Sequence, residues 1–259
     1  FEPLLMNSCL AKFLRPMLAI SLCCIYHSTL LAEEILVAVA SNFSSTAEEV
    51  AEQFEKQTGH EVVLAFGSTG HHYAQIVNGA PFDIFLAADA ERPRLLEESG
   101  IAIEGSRFTY ALGQLVLWGS EQILSNQPNL LRSGEYRHLA LANPRFAPYG
   151  VAAMEVLESS NLIEVTENKI VLGENIAQAF QFVASGAAQL GFVSLAQVNS
   201  LPDSQRGFVW QIEPSLYNPI RQQAVLLSDN PAAMEFMSYL KSDSGAQLIG
   251  SAGYGLEPL

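Results

Sequence analysis

Short apolar runs rich in β-branched residues pass directly into helix-like stretches at four places in this chain. The four junctions read SNF at 41–43, GSTG at 67–70, NPRFAPYG at 143–150 and GENI at 173–176. Strands that alternate with helices in this way predict an α/β fold with mostly parallel sheets. In such sheets the carboxyl ends of strands and the N-termini of helices meet at one edge, where ligands bind. The pattern therefore predicts the fold class and the place of a functional site.

The distribution of the junctions predicts two lobes, because two junctions fall in each half of the chain. We expect residues 33–113 together with 222–259 to form the first lobe, residues 114–221 the second, and a ligand cleft to lie between them. Two further apolar stretches, residues 115–118 and 224–227, are interpreted as strands that cross between the lobes. The chain has 259 residues, of which 49% are hydrophobic and 15% charged, which suffices for two cores.

The first 32 residues have a different character from the rest. Lys12 and Arg15 precede an apolar run that ends in small residues at Ala32. This order is typical of a secretory signal peptide, so we expect residues 1–32 to be the signal peptide with upstream residues, cleaved after Ala32. We therefore expect a periplasmic protein. A lipid-modified cysteine is the alternative, but neither cysteine of the run follows a small residue.

Composition excludes several kinds of function for the remainder of the chain. All three cysteines precede residue 33, which leaves no thiolate site or disulfide, and the net charge of −14 argues against nucleic acid. Adjacent His71 and His72 would point about 100° apart on a helix, so we interpret them as exposed helix residues rather than metal ligands. A hydrolase site at Ser68 lacks the GxSxG pattern. We expect no catalytic residue and no cofactor.

The helix starts offer neutral hydrogen-bond donors. A helix N-terminus carries unpaired N–H groups and about half a positive charge, so it binds anions without lysine or arginine. The donors are hydroxyl groups, one side-chain amide and backbone N–H groups, from Ser41, Asn42, Ser68, Thr69, Tyr149 and Ile176. Donors alone suit a fully ionised oxyanion, which only accepts hydrogen bonds. At any single junction these residues are also ordinary helix caps; it is their joint occurrence that favours a binding site.

Long segments around these junctions carry a family resemblance. They include VAVASNF at 37–43, YAQIVNGAPFDIFLAADAE at 73–91, ANPRFAPYG at 142–150 and ASGAAQLGFVSLAQ at 184–197. The chain resembles the periplasmic molybdate-binding proteins of ABC importers, which have the type II periplasmic-binding fold. The resemblance implies a non-enzymatic receptor for molybdate and tungstate that delivers its ligand to an inner-membrane ABC permease. Molybdenum would be bound only as the oxyanion, with no direct protein ligand, and we expect a monomer.

The resemblance also implies the residues of the ligand site. Carried over to this sequence, they are Ser41 with the adjacent Asn42, Thr69, Tyr149 and Ile176, with Ser68 as a second candidate. Hydroxyl groups would come from one lobe and backbone N–H groups from the other.

One position departs from part of the family. Some relatives place a tyrosine hydroxyl on the anion at the position of Ser194, so Asn42 is expected to compensate here. The sequence leaves two alternatives open, namely a receptor for another tetrahedral oxyanion such as sulfate, and an exported hydrolase.

Overall fold

Ten strands form two five-stranded sheets in the part of the chain that the structure, a computed structural model, describes: residues 32–120 and 127–257. The strands are β1 (Glu34–Ala40), β2 (Glu61–Gly67), β3 (Ile84–Leu86), β4 (Phe108–Gly113), β5 (Leu115–Gly119), β6 (Leu139–Ala142), β7 (Ile170–Gly173), β8 (Leu190–Ser194), β9 (Phe208–Gln211) and β10 (Ile220–Leu226). The helices are α1 (Ser44–Thr58), α2 (Thr69–Val77), α3 (Glu91–Glu98), α4 (Gln127–Ser133), α5 (Pro148–Ser159), α6 (Ile163–Thr166), α7 (Ile176–Ala184), α8 (Leu195–Asn199), α9 (Pro231–Lys241) and α10 (Asp243–Ser251).

The two sheets have the same pattern of strand directions. The first has the order β2-β1-β3-β10-β4 and the second the order β7-β6-β8-β5-β9. The first three strands of each order are parallel, and the fourth is antiparallel to both of its neighbours. Four strands of each sheet therefore run in one direction. This arrangement, flanked by helices, confirms the predicted α/β fold with mostly parallel sheets.

The chain passes between the two sheets twice, and both crossings lie outside the strands. The first is at Gln114, between β4 and β5, and the second spans residues 212–219, between β9 and β10. The expectation that 115–118 and 224–227 are crossing strands was therefore wrong. Each of these strands is paired on both sides within one sheet, because the backbone N–H and C=O groups of a buried strand need partners along its length.

Local sequence explains where the helices near the junctions begin and end. α1 follows a 3₁₀ turn at 41–43 and ends at Gly59, whose φ of +80° allows its N–H to reach the Glu55 carbonyl at 2.8 Å. This left-handed conformation favours glycine. α7 begins after Asn175, whose Oδ1 accepts from the Gln178 N–H at 3.0 Å. These helices lie where the sequence predicts them.

Each sheet has its own buried core. Phe43, Phe54 and Phe236 are fully buried against the first sheet. Against the second, the Trp118 ring stacks on Phe180 with centroids 4.6 Å apart. Across 32–120 and 127–257, no helix is both long and apolar enough to span a membrane. The expected signal peptide, apart from Ala32, lies outside the described residues.

Candidate functional site

All four junctions line one small cavity between the ends of β1, β2, β6 and β7. The lining contains the five predicted site residues and the second candidate: Ser41, Asn42, Thr69, Tyr149, Ile176 and Ser68. They meet because the carboxyl ends of parallel strands lie at one edge of each sheet, and these two edges face the same cavity. Residues separated by more than 130 positions are thereby brought together.

The first junction contributes Ser41 and Asn42, which are 4% and 1% exposed. The Ser41 backbone carbonyl accepts from the Ser44 hydroxyl at 3.1 Å. The Asn42 Nδ2 group donates to Gln222 Oε1 at 2.8 Å and to the Tyr254 hydroxyl at 3.2 Å. Both hydrogens of the Asn42 amide are therefore used within the protein. Its backbone N–H lies in the first turn of a helical segment, where N–H groups have no partner within that segment.

The second junction contributes two buried hydroxyl groups. Thr69 Oγ1 accepts from the Ala88 N–H at 3.0 Å. Because a backbone N–H can only donate, this bond uses a lone pair of the hydroxyl and leaves its proton for another acceptor. Ser68 Oγ caps α2 by accepting from the His71 N–H at 3.4 Å, so its proton is also free to be donated.

The third and fourth junctions contribute backbone N–H groups. α5 begins with Pro148, which has no N–H, so Tyr149 supplies the first usable donor of that helix. Ile176 is the first residue of α7 and its N–H likewise has no partner within the helix. The Tyr149 hydroxyl donates to Ser194 Oγ at 3.2 Å and accepts from Gln222 Nε2 at 3.3 Å. Only the Tyr149 backbone is therefore available to a ligand.

The lining of the cavity, as far as the structure describes it, contains no charged side chain. The nearby Arg92 is paired with Asp89, and the Arg145 guanidinium lies over the Phe146 ring, 5.2 Å from its centroid. Burial raises the pKa of the Tyr149 hydroxyl well above its usual value of 10, so the phenol stays neutral. The described ranges hold no group of three or more His, Cys, Asp or Glu side chains that could bind a metal ion.

α2 contacts the loops after β6 and β7, next to residues that line the cavity. The Gly70 N–H donates to the Phe146 carbonyl at 2.9 Å. His71 Nδ1 lies 3.1 Å from Glu174 Oε1, and its ring lies 4.5 Å from that of Phe146. These contacts join elements that pack on different sheets.

The expectation for the two adjacent histidines needs correction. His72 is only 4% exposed, whereas the His71 side chain is 39% exposed. The buried residues of α2 are Thr69, His72 and Ile76, spaced three and four positions apart, so one helix face carries all three to the core. That spacing was visible in the sequence.

Ser194 does not line the cavity. Its hydroxyl accepts from the Tyr149 phenol, and it forms a capping box with Gln197 at the start of α8. Sequence reasoning missed the fully buried Gln222, which contacts both Asn42 and Tyr149. The sequence did carry a signal for Gln222. Side chains alternate between the two faces of a strand, and Gln222 is a polar residue on the buried face of β10 that also carries Ile220 and Ala224.

A cavity lined by neutral hydrogen-bond donors, between two β-sheets and their flanking helices, is suited to hold a small solute. Residues 35–255 match the family described as bacterial extracellular solute-binding protein, and the chain belongs to this family. Membership confirms the expectation of a binding protein rather than an enzyme. Membership also identifies the chain as an extracellular solute-binding protein.

Individual relatives are more specific. The chain is 49% identical over 230 residues to the molybdate-binding protein ModA of Azotobacter vinelandii. The matched residues cover 87% of this chain and 91% of the relative. It is 41% identical over 229 residues to ModA of Rhodobacter capsulatus, which covers 87% and 90%. The solved structure of the Azotobacter vinelandii periplasmic molybdate-binding protein superposes with a TM-score of 0.83 at 43% identity, over 86% of this chain and 100% of that one. These findings confirm the family resemblance inferred from the sequence.

Proposed function

We propose that this protein is a periplasmic receptor that binds molybdate or tungstate and delivers it to an inner-membrane ABC permease. The observation that carries the proposal is the convergence of four helix starts on one cavity lined by neutral donors. The relatives named as molybdate-binding proteins support the choice of ligand.

The proposed donors come from both sheets. They are the hydroxyl groups of Ser41 and Thr69 and the backbone N–H groups of Asn42, Tyr149 and Ile176, with the Ser68 hydroxyl as a further candidate. About five to seven bonds to a charged acceptor, each about 1.5–3 kcal/mol, give roughly 8–20 kcal/mol before the costs of association. Nanomolar affinity corresponds to about 12 kcal/mol, which lies within this range. The distant acidic surface opposes binding little, because charges farther than about 8 Å are largely screened at physiological salt.

The two sheets with their helices are proposed as lobes that close around the anion, residues 33–113 with 222–259 and residues 114–221. The Gly70–Phe146 hydrogen bond and the His71–Glu174 pair would form on closure and break on opening. Motion about the two crossings, at Gln114 and residues 212–219, would be a hinge closure. A monomer is sufficient for this mechanism.

Isothermal titration calorimetry with molybdate, tungstate, sulfate and phosphate tests the proposal. We expect molybdate and tungstate to bind far more tightly than sulfate. Phosphate, which carries a proton near neutral pH, is expected to bind weakly because the cavity lining has no carboxylate to accept that proton. Sulfate binding as tight as molybdate binding, or tighter, would assign the protein to a different oxyanion.

A further inference from the structure

A cluster of buried polar side chains lies directly behind the cavity and connects the two sheets. We name it the inter-sheet cluster; its members are Asn42, Tyr110, Tyr149, Ser194, Gln222 and Tyr254, each at most 4% exposed. The members come from β4, β8, β10, α5, the 3₁₀ turn at 41–43 and the segment after α10. Two of them, Asn42 and Tyr149, are also proposed ligand residues.

Gln222 is the member that joins the two sides. Its Oε1 accepts from Asn42 Nδ2 at 2.8 Å and from the Tyr110 hydroxyl at 3.1 Å, both on the side of the first sheet. Its Nε2 donates to the Tyr149 hydroxyl at 3.3 Å, and that hydroxyl donates to Ser194 Oγ at 3.2 Å, both on the side of the second sheet. A continuous hydrogen-bonded path therefore runs from the first junction to the start of α5.

Two backbone features make room for this path. The pairing of β10 with β4 passes from Gln222–Ala111 to Gln223–Thr109, so Tyr110 is the extra residue of a β-bulge in β4. At Gly113 the absence of a side chain admits the phenol, because a Cβ there would lie 2.4 Å from the Tyr149 hydroxyl. The site is thus built to accept Tyr149 beside Gln222.

We propose that the Gln222–Tyr149 hydrogen bond is a positioning contact that holds the closed arrangement of the ligand site. This inference rests on the proposed function. The bond fixes the turn that carries the Asn42 N–H relative to the turn that carries the Tyr149 N–H, so it stabilises the arrangement in which both donors reach one anion. Being buried, the bond is not weakened by competition with water. Its loss should therefore speed escape of the anion more than it slows capture.

The comparison of Tyr149→Phe with Tyr110→Phe tests this role. Each variant removes one buried phenol hydroxyl, but within residues 32–120 and 127–257 the Tyr110 hydroxyl bonds only Gln222 and the Ala87 carbonyl, on the side of the first sheet. Tyr149→Phe keeps the backbone N–H that is proposed to bind the ligand. We expect it to raise the molybdate dissociation rate, measured by stopped-flow, by about three- to tenfold, with the association rate changed less than about twofold. Tyr110→Phe should change both rates less than about twofold.

Two further measurements keep the test independent of folding defects. Thermal melts should show similar losses of stability in the two variants, so that stability alone does not explain a kinetic difference. Gln222→Met, which has similar length but no donor, should also speed dissociation. Combined with Tyr149→Phe it should give less than the product of the two single effects, because both remove the same bond.

Each outcome separates this inference from the proposed function. If the wild-type protein does not bind molybdate, the proposed function is wrong. Wild-type kinetics in Tyr149→Phe, or an equal effect of Tyr110→Phe, would leave the function intact and reject the positioning role. If Tyr149→Phe does not fold, dissociation at the wild-type rate in Gln222→Met would reject it instead.

Discussion

Replacing Thr69 by valine should separate the hydroxyl group from the shape of the side chain. Thr69 is 1% exposed, and valine has nearly the same volume. The variant loses one hydrogen bond to a charged ligand, about 1.5–3 kcal/mol, so the molybdate Kd should rise about 10- to 150-fold. It also leaves the buried Ala88 N–H without its acceptor. That loss should lower the free energy of unfolding by about 1–3 kcal/mol, and Tm by about 2–4 °C for each kcal/mol.

Calorimetric titration of wild type, Thr69→Val and Thr69→Ser measures the binding effect directly. Thr69→Ser is the control because it keeps the hydroxyl and should stay within a few-fold of wild-type affinity. Melting curves with and without molybdate give a second measure, since the stabilisation by ligand shrinks as Kd rises. A valine variant that binds molybdate within twofold of wild type would show that the Thr69 hydroxyl does not contact the anion.

Three further predictions concern the supports of the site. Gly150→Ala should weaken both stability and molybdate affinity, because a Cβ at this position would lie 2.1 Å from the Ala142 carbonyl oxygen and displace the start of α5; unchanged melting and titration curves would contradict this. Asn175→Ala removes the cap of α7 and should lower the free energy of unfolding by about 0.5–2 kcal/mol, measurable by denaturant titration. Burial lowers the pKa of His72 below 6.5, so the unfolded chain takes up this proton first. Stability should therefore fall as pH drops below 6.5 and be insensitive to this group above it. A His72→Gln variant with an undiminished slope would refute the assignment.

Much of the local structure and the set of polar residues that line the cavity followed from the sequence. The four strand-to-helix junctions, which precede α1, α2, α5 and α7, were predicted from the alternation of apolar runs and helix-like stretches. The convergence of four junctions on one cavity follows from parallel strands, whose carboxyl ends share an edge. Thr69 and Ile176 therefore lie together although they are remote in the chain.

The tertiary structure decided which polar atoms of these residues stay free of partners within the protein. Asn42 was expected to compensate for a missing tyrosine, yet its side-chain amide is bonded to Gln222, 180 positions away. The Tyr149 hydroxyl is likewise bonded within the protein, to Ser194 and Gln222, so only the backbone N–H of this residue is available at the cavity. Such pairings depend on how two sheets pack and on a shift of register in one strand.

The physical reason for this division is the range of the interactions. Strand and helix periodicity, caps and the glycine at a helix end act between residues a few positions apart, so the sequence by itself determined the elements and the chemistry of the helix starts. Hydrogen bonds of buried side chains join residues that only the folded chain makes neighbours. The positions of the two crossings and the path through Gln222 were consequently decided by tertiary structure alone.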